Sequence, residues 1–148
     1  MLIGIPPLLG PDLLATLRSM GHGDEIAIVD ANYPAQEHAR RLIRADGHGL
    51  VAVLDAILQV TPVDDFVPQA LFRATVKGDP DLLDPVHEDI VAVCARRAPG
   101  FAVVPLSGDA FYNRVRAAHT IVATSEPRLY GNVIVRKGVI YPKESDQP

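Results

Sequence analysis

The segment Gly21-His22-Gly23-Asp24-Glu25-Ile26-Ala27-Ile28-Val29-Asp30 places an imidazole before, and a carboxylate after, a short apolar run. A histidine titrates near neutral pH and a carboxylate can orient it or pair with it, so His22 and Asp30 together make an acid/base set. Asp30 follows the run, where open α/β sheets place their ligands, in the crevice above the strand ends. His22 stands between two glycines that let a backbone or a ligand come close. Plainer roles fit the same residues. Gly21 can close a preceding helix with His22 as a partner for its dipole, and Asp30-Ala31-Asn32-Tyr33-Pro34 is also a good loop.

A second polar set lies toward the other end of the chain: Tyr112, Glu126, Tyr130 and Asn132. A tyrosine, a glycine and an asparagine just before a strand can offer a hydroxyl, a free backbone and an amide to a polyhydroxylated ligand such as a sugar. An ordinary hairpin, with Tyr130 packed and Asn132 capping a turn, is the competing reading. His22, Asp24 and Asp30 have no recognised metal-ligand spacing, so no metal is expected. His38, His48, His87 and His119 are scattered and read as surface or satisfied histidines. Phosphate-binding loop, dinucleotide fingerprint, paired-cysteine zinc spacing and nucleophile elbow are all missing, which removes most nucleotide and serine-hydrolase chemistries.

These groups need elements to position them. Ile26 to Val29 reads as a buried strand. Before it, prolines 6 and 7 make Ile3 to Leu9 extended, and Pro11-Asp12 opens a helix with Leu13, Leu14, Leu17 and Met20 on one face and Gly21 at its end. After it come a helical turn over Gln36 to Arg40, a short strand over Arg41 to Arg44 and an almost wholly apolar helix from Leu50 to Leu58, buried in the core or against another subunit. Val60 to Pro68 reads as strand fragments and loop. A strand over Ala70 to Val76, a helix over Val86 to Arg97 with Ile90, Val91 and Cys94 inward, a strand over Phe101 to Pro105 and a helix over Asp109 to Ala118 follow. Two strands, Thr120 to Thr124 and Asn132 to Arg136, flank the polar loop that carries Glu126 and Tyr130. The alternation predicts an α/β fold, a layered domain with a central mixed β-sheet flanked by helices, as one unit over 1–148.

Composition agrees with a globular enzyme or binding protein. The chain is 48% apolar with a net charge of −4, which gives no electrostatic footprint for nucleic acid. No segment has the length to span a bilayer, the N-terminus lacks the positive region of a signal peptide, and the lone Cys94 cannot form an internal disulfide. A cytoplasmic location is expected.

Taken together, Met20-Gly21-His22-Gly23-Asp24-Glu25, Asp30 with Pro34, Ile43-Arg44-Ala45-Asp46-Gly47, Phe111-Tyr112-x-Arg114 and Tyr130-Gly131-Asn132, in this order and spacing, resemble the L-fucose mutarotase and D-ribose pyranase (RbsD/FucU) family. The resemblance runs from Ile5 to Gly138. It implies an RbsD-like α/β fold with a mixed sheet, decameric rings or smaller units of them, and opening and reclosure of sugar rings without a cofactor. It carries His22 and Asp30 to the acid/base positions, with Asp30 orienting His22 or holding a hydroxyl. Tyr130, a candidate for the second proton transfer, and Asn132 fall in the sugar-contacting loop. Tyr112 and the Tyr-Gly-Asn triplet resemble the fucose-type branch, and Glu126 keeps a loop acid, although Thr124-Ser125-Glu126 replaces Thr-Gly-Glu. Gly108 departs further, because the family usually has a basic residue there. The expectation is a mutarotase for L-fucose or a related monosaccharide, with a D-ribose pyranase or a non-catalytic sugar binder as alternatives.

Overall fold

The protein is described by a computed structural model over residues 1–143; the last five positions of the expected 1–148 unit lie outside the described residues. Eleven elements follow one another: α1 (Pro11–Ser19), β1 (Glu25–Val29), α2 (Ala35–His38), β2 (Leu42–Ala45), α3 (Leu50–Val60), β3 (Leu71–Ala74), α4 (Pro85–Arg97), β4 (Val103–Leu106), α5 (Gly108–Ala117), β5 (Thr120–Thr124) and β6 (Val133–Arg136). The strands form one six-stranded sheet in the order β2-β5-β1-β6-β3-β4. β6 runs against its neighbours β1 and β3, while β1 is parallel to β5, β5 to β2 and β3 to β4. The mixed sheet is the expected one.

Alternation along the strands sends side chains to both faces. Ile26 and Ile28 of β1, with Val122, Val133 and Val135, pack under α1, α3 and α4. Ala27 and Val29, with Ile121, Ala123 and Ile134, face Phe111 and Val115 of α5 and Ala35 of α2. Because both faces are covered, Ile26 to Val29 are wholly buried, which is why that run carries no polar alternation.

Several expectations change in detail. Ile3 to Leu9 folds as successive turns rather than an extended run. α1 ends at Met20 in extended conformation, so Gly21 is not its left-handed cap; Lys137 Nζ instead donates to the Leu17 and Met20 carbonyls, at 2.7 and 2.5 Å, where a cation favours the helix C-terminus. In α3, Leu50, Val53, Leu54, Ala56, Ile57 and Leu58 are all buried by the chain's own elements, so this helix asks for no partner. Val91 of α4 faces out and Val93 takes its place inside. The competing hairpin at Tyr130 does not exist: β1 lies between β5 and β6.

Candidate functional site

At the C-terminal end of β1 the chain turns through Asp30, which is 5% exposed. Its backbone N–H donates to Asn132 Oδ1 at 3.0 Å, and Asn132 Nδ2 donates to Asp30 Oδ2 at 2.8 Å. The other carboxylate oxygen accepts from the Asn32 amide at 2.9 Å. Burial pushes the Asp30 carboxyl above its ordinary value, and the bonds from Asn32 and Asn132 offset part of that rise. A partly desolvated carboxylate of this kind holds a hydroxyl or takes its proton more readily than an exposed one.

Asn132 is delivered by a loop whose shape is fixed from below. Tyr130 adopts a left-handed φ of 60°, and its carbonyl accepts from Nε2–H of His87 at 3.0 Å. The Asp84 amide donates to His87 Nδ1 at 3.1 Å, which settles the tautomer, and burial lowers the pKa of this imidazole so that it stays neutral. His87 is thus a satisfied core histidine, and it holds the loop from which Tyr130 and Asn132 reach out.

Tyr130 and Asn132 line a cavity of about 150 Å³ together with Tyr33, Tyr112, Lys77 and Gly108. The Tyr33 and Tyr112 rings stack with centroids 5.5 Å apart. Arg116 can only donate, so its contact of 3.0 Å makes His38 Nε2 an acceptor, and His38 Nδ1–H then donates to the Tyr33 oxygen at 2.9 Å. Burial keeps the Tyr33 phenol well above its usual range, a neutral donor. Tyr33 also borders a second, more open hollow of about 430 Å³ that includes Asp30. At Gly108 an added Cβ would meet nothing within 4 Å, so the missing side chain leaves real room. A wider hollow of about 450 Å³ between α1 and β2 contains none of the expected site residues.

Glu126 is placed otherwise than expected. It is 3% exposed, lines neither hollow beside Asp30, and both carboxylate oxygens accept from the Arg128 guanidinium, at 2.7 and 3.1 Å. Arg128 first, against the opposing effect of burial, holds its pKa down. Its backbone carbonyl accepts from the Ala31 amide at 2.9 Å, so Glu126 braces the loops on either side of the cavity.

His22 is at the other end of β1. The five residues of the strand separate it from Asp30, roughly 16 Å at about 3.3 Å per residue. Its ring meets Asp64 instead: Nε2 donates to Oδ1 at 2.9 Å, with the Phe66 ring centroid 4.9 Å away. The pairing of His22 with Asp30 expected from the sequence therefore does not occur within one chain, because residues that bracket a strand emerge at its opposite ends. Asp64 belongs to the stretch read only as strand fragments and loop; nothing local marks it as the partner of a residue 42 positions earlier. Gly23, at φ +83°, turns the chain back into β1 where a Cβ would lie 2.9 Å from the Arg136 guanidinium.

Among the described residues no cluster of histidine, cysteine, aspartate and glutamate could hold a metal ion, and no helix is long and apolar enough to cross a membrane.

Known proteins are similar to this chain over nearly its full length. The chain is 41% identical to the fucose mutarotase of Bos taurus, over 97% of each. A fucose mutarotase from Streptococcus pneumoniae, solved in complex with L-fucose, superposes with a TM-score of 0.86 at 38% identity, covering 95% of this chain and all of that one. RbsD from Bacillus subtilis, solved with D-ribose, has a TM-score of 0.71 at 19% identity over 90% of this chain and 95% of its own, a likeness of fold. The sequence matches the RbsD / FucU transport protein family over residues 3–140, and the chain belongs to that family.

Proposed function

We propose that this chain, acting as one unit over 1–148, is an isomerase that interconverts the α and β anomers of L-fucose or a closely related monosaccharide. The observation that carries the reading is the clasp of Asn132 on Asp30 beside a tyrosine-lined cavity, in a chain so similar to fucose mutarotases. Mutarotation moves two protons. One leaves the anomeric hydroxyl, the C1–O5 bond breaks with its electron pair going to O5, and O5 gains the other. The open aldehyde then recloses on its other face by the reverse transfers. Asp30 holds or deprotonates a hydroxyl, Tyr130 and Tyr33 are donors, Asn132 orients, and the Tyr112 ring lies along the sugar. Assistance of this kind is worth roughly 10²–10⁴-fold.

His22 is the remaining acid/base group, and it reaches such a cavity only from a second copy of the chain. Its side chain is 43% exposed. Beside it Phe66, and next to Phe66 Tyr141, are 63 and 60% exposed, an apolar patch suited to self-association. We therefore place His22 of one copy against Asp30 and Asn132 of another, in a decameric ring or a smaller unit. A cytoplasmic location goes with this reading, supported by the single cysteine, Cys94, a buried free thiol with no partner for an internal disulfide.

The open space at Gly108 favours one rival, a protein that binds a sugar without catalysis. Saturation-transfer NMR separates the readings. With L-fucose, magnetisation should pass between the anomers, and His22→Ala should slow the transfer in a folded protein. Shifted resonances without transfer would make the chain a binder, and transfer between the pyranose and furanose forms of D-ribose but not the fucose anomers would make it a pyranase.

A further inference from the structure

The sheet sets the order of the groups around the tyrosine-lined cavity. β1, β6, β3 and β4 are successive strands, and their directions bring the end of β1, the start of β6 and the ends of β3 and β4 to one edge. Asp30, Asn132, Lys77 and Gly108 follow along that edge in this order. At about 4.8 Å per strand, β3 lies roughly 10 Å from β1, the span of one monosaccharide with its substituents. A sugar held at its anomeric end by Asp30 and Asn132 therefore turns the side that carries C4 to C6 toward Lys77 and Gly108.

The loop that carries Lys77 is tightly built. Lys77 and Gly78 are the central residues of a turn, at φ of 50° and 80°, closed by the Asp79 amide donating to the Val76 carbonyl at 2.9 Å. Positive φ at both places suits Asn-Gly; a lysine in the first is strained, and such strain clusters where a residue serves a ligand. Arg73, 4% exposed, clamps the two ends of the loop, with Nη1 donating to the Ala74 carbonyl at 3.1 Å and Nη2 to the Pro80 carbonyl at 2.7 Å. The Ala74 amide donates to the Asn132 carbonyl at 3.1 Å, which registers this loop to the clasp on Asp30.

Charge in this corner has one sign. Among the described residues that line the cavity, Lys77 carries the one charge, and no described carboxylate pairs with its ammonium or with the Arg73 guanidinium. The Asp79 carboxylate accepts from the Asp81 amide at 2.9 Å, and Asp30 borders the neighbouring hollow. Two cations, one of them buried where solvent screens little, thus stand beside the space that Gly108 leaves open.

We propose that Lys77 is the specificity-determining residue of the cavity, and that the substrate it selects is a hexuronate, a sugar whose C6 is a carboxylate seated between Lys77 and Gly108. This deepens the isomerase reading and rests on it. Ring opening at C1 is the same for the acid as for the neutral sugar, because the C6 carboxylate takes no part in the proton transfers.

L-fucose, L-galactose and L-galacturonate share one ring configuration and differ at C6 alone, as methyl, hydroxymethyl and carboxylate. Anomer exchange of each, read by saturation transfer in the native protein, tests the proposal. The kcat/KM for L-galacturonate should exceed that for L-galactose by about tenfold or more, as a charge-assisted bond exceeds a neutral one, and the ratio should shrink as salt is added. Lys77→Asn, a change that the left-handed turn tolerates, should bring the ratio to about one or below, while Lys77→Arg should keep the acid preferred. A native ratio of one or less overturns the proposal, and so does an unchanged ratio in Lys77→Asn. Faster exchange of L-galactose 6-phosphate than of L-galacturonate would overturn the carboxylate. Should none of the sugars exchange, the isomerase reading falls, while the Kd values of L-galacturonate and L-galactose for native protein and Lys77→Asn still decide whether Lys77 selects the acid.

Discussion

Asn132 holds Asp30 twice, accepting from its amide at 3.0 Å and donating to its carboxylate at 2.8 Å, across 102 positions of sequence. One planar amide thereby ties the end of β1 to the start of β6 and fixes a carboxylate at the border of the more open hollow. Asn132→Ala leaves the buried Asp30 amide without a partner, a loss of about 1–3 kcal/mol. It also removes one of the bonds that hold the Asp30 carboxyl down. Urea unfolding should show the loss of stability, and the pH at which anomer exchange turns on should rise.

Tyr33→Phe tests the cavity wall while keeping the ring stack with Tyr112. The change removes only the hydroxyl that His38 supports. KM for the sugar should rise several-fold, about 1 kcal/mol for a neutral hydrogen bond, with the unfolding midpoint nearly unchanged. An unaltered KM would place the sugar away from Tyr33.

Gly138→Ala tests the support of the His22 end. A Cβ there would lie 2.5 Å from the Val63 carbonyl oxygen and 2.8 Å from Asp64 Cα, both backbone. Overpacking against backbone costs about 1–3 kcal/mol. The strand end and the Asp64 loop must part, so thermal unfolding should fall in temperature and the contact between His22 and Asp64 should loosen, read as a change in the imidazole resonances.

Asp55 of α3 tests stability far from the site. Arg97 and Arg96 of α4 bond it at 2.7 to 2.9 Å, and Arg97 first holds its carboxyl down to about 2. A depressed folded pKa contributes stability that is complete above the unfolded value of 3.8 and is lost as the pH falls through about 2. Solvent screens the pair, so Asp55→Asn should cost about 1 kcal/mol at pH 7. The gap to the native protein should close between about pH 4 and pH 2 in denaturant titrations.

The sheet was readable because burial on both faces writes itself into composition. Ile26 to Val29, Thr120 to Thr124 and the apolar α3 carry that mark and fold as expected. The residues of the site were readable by type and not by neighbour. His22 and Asp30 look adjacent in sequence, yet a strand between two residues drives them apart, so their separation was implicit in the same run that identified β1. Asp64 and Arg136 could not be foreseen as the surroundings of His22, since long-range pairing leaves no local trace. Glu126 had the right chemistry for a sugar contact, but the Arg128 that occupies it stands only two positions on, and the turn that brings them together has no periodicity to reveal it.

β1 is also a rigid spacer with the Asp30 carboxylate at one tip and the His22 imidazole at the other, the two halves of the pocket proposed to form between copies. Copies joined tip to tail in an open row would leave one unmatched half at each end, so a row always has fewer working pockets than subunits. Closing the row into a circle removes that deficit. Specific activity per subunit should consequently climb with the degree of assembly and level off only when the circle is complete.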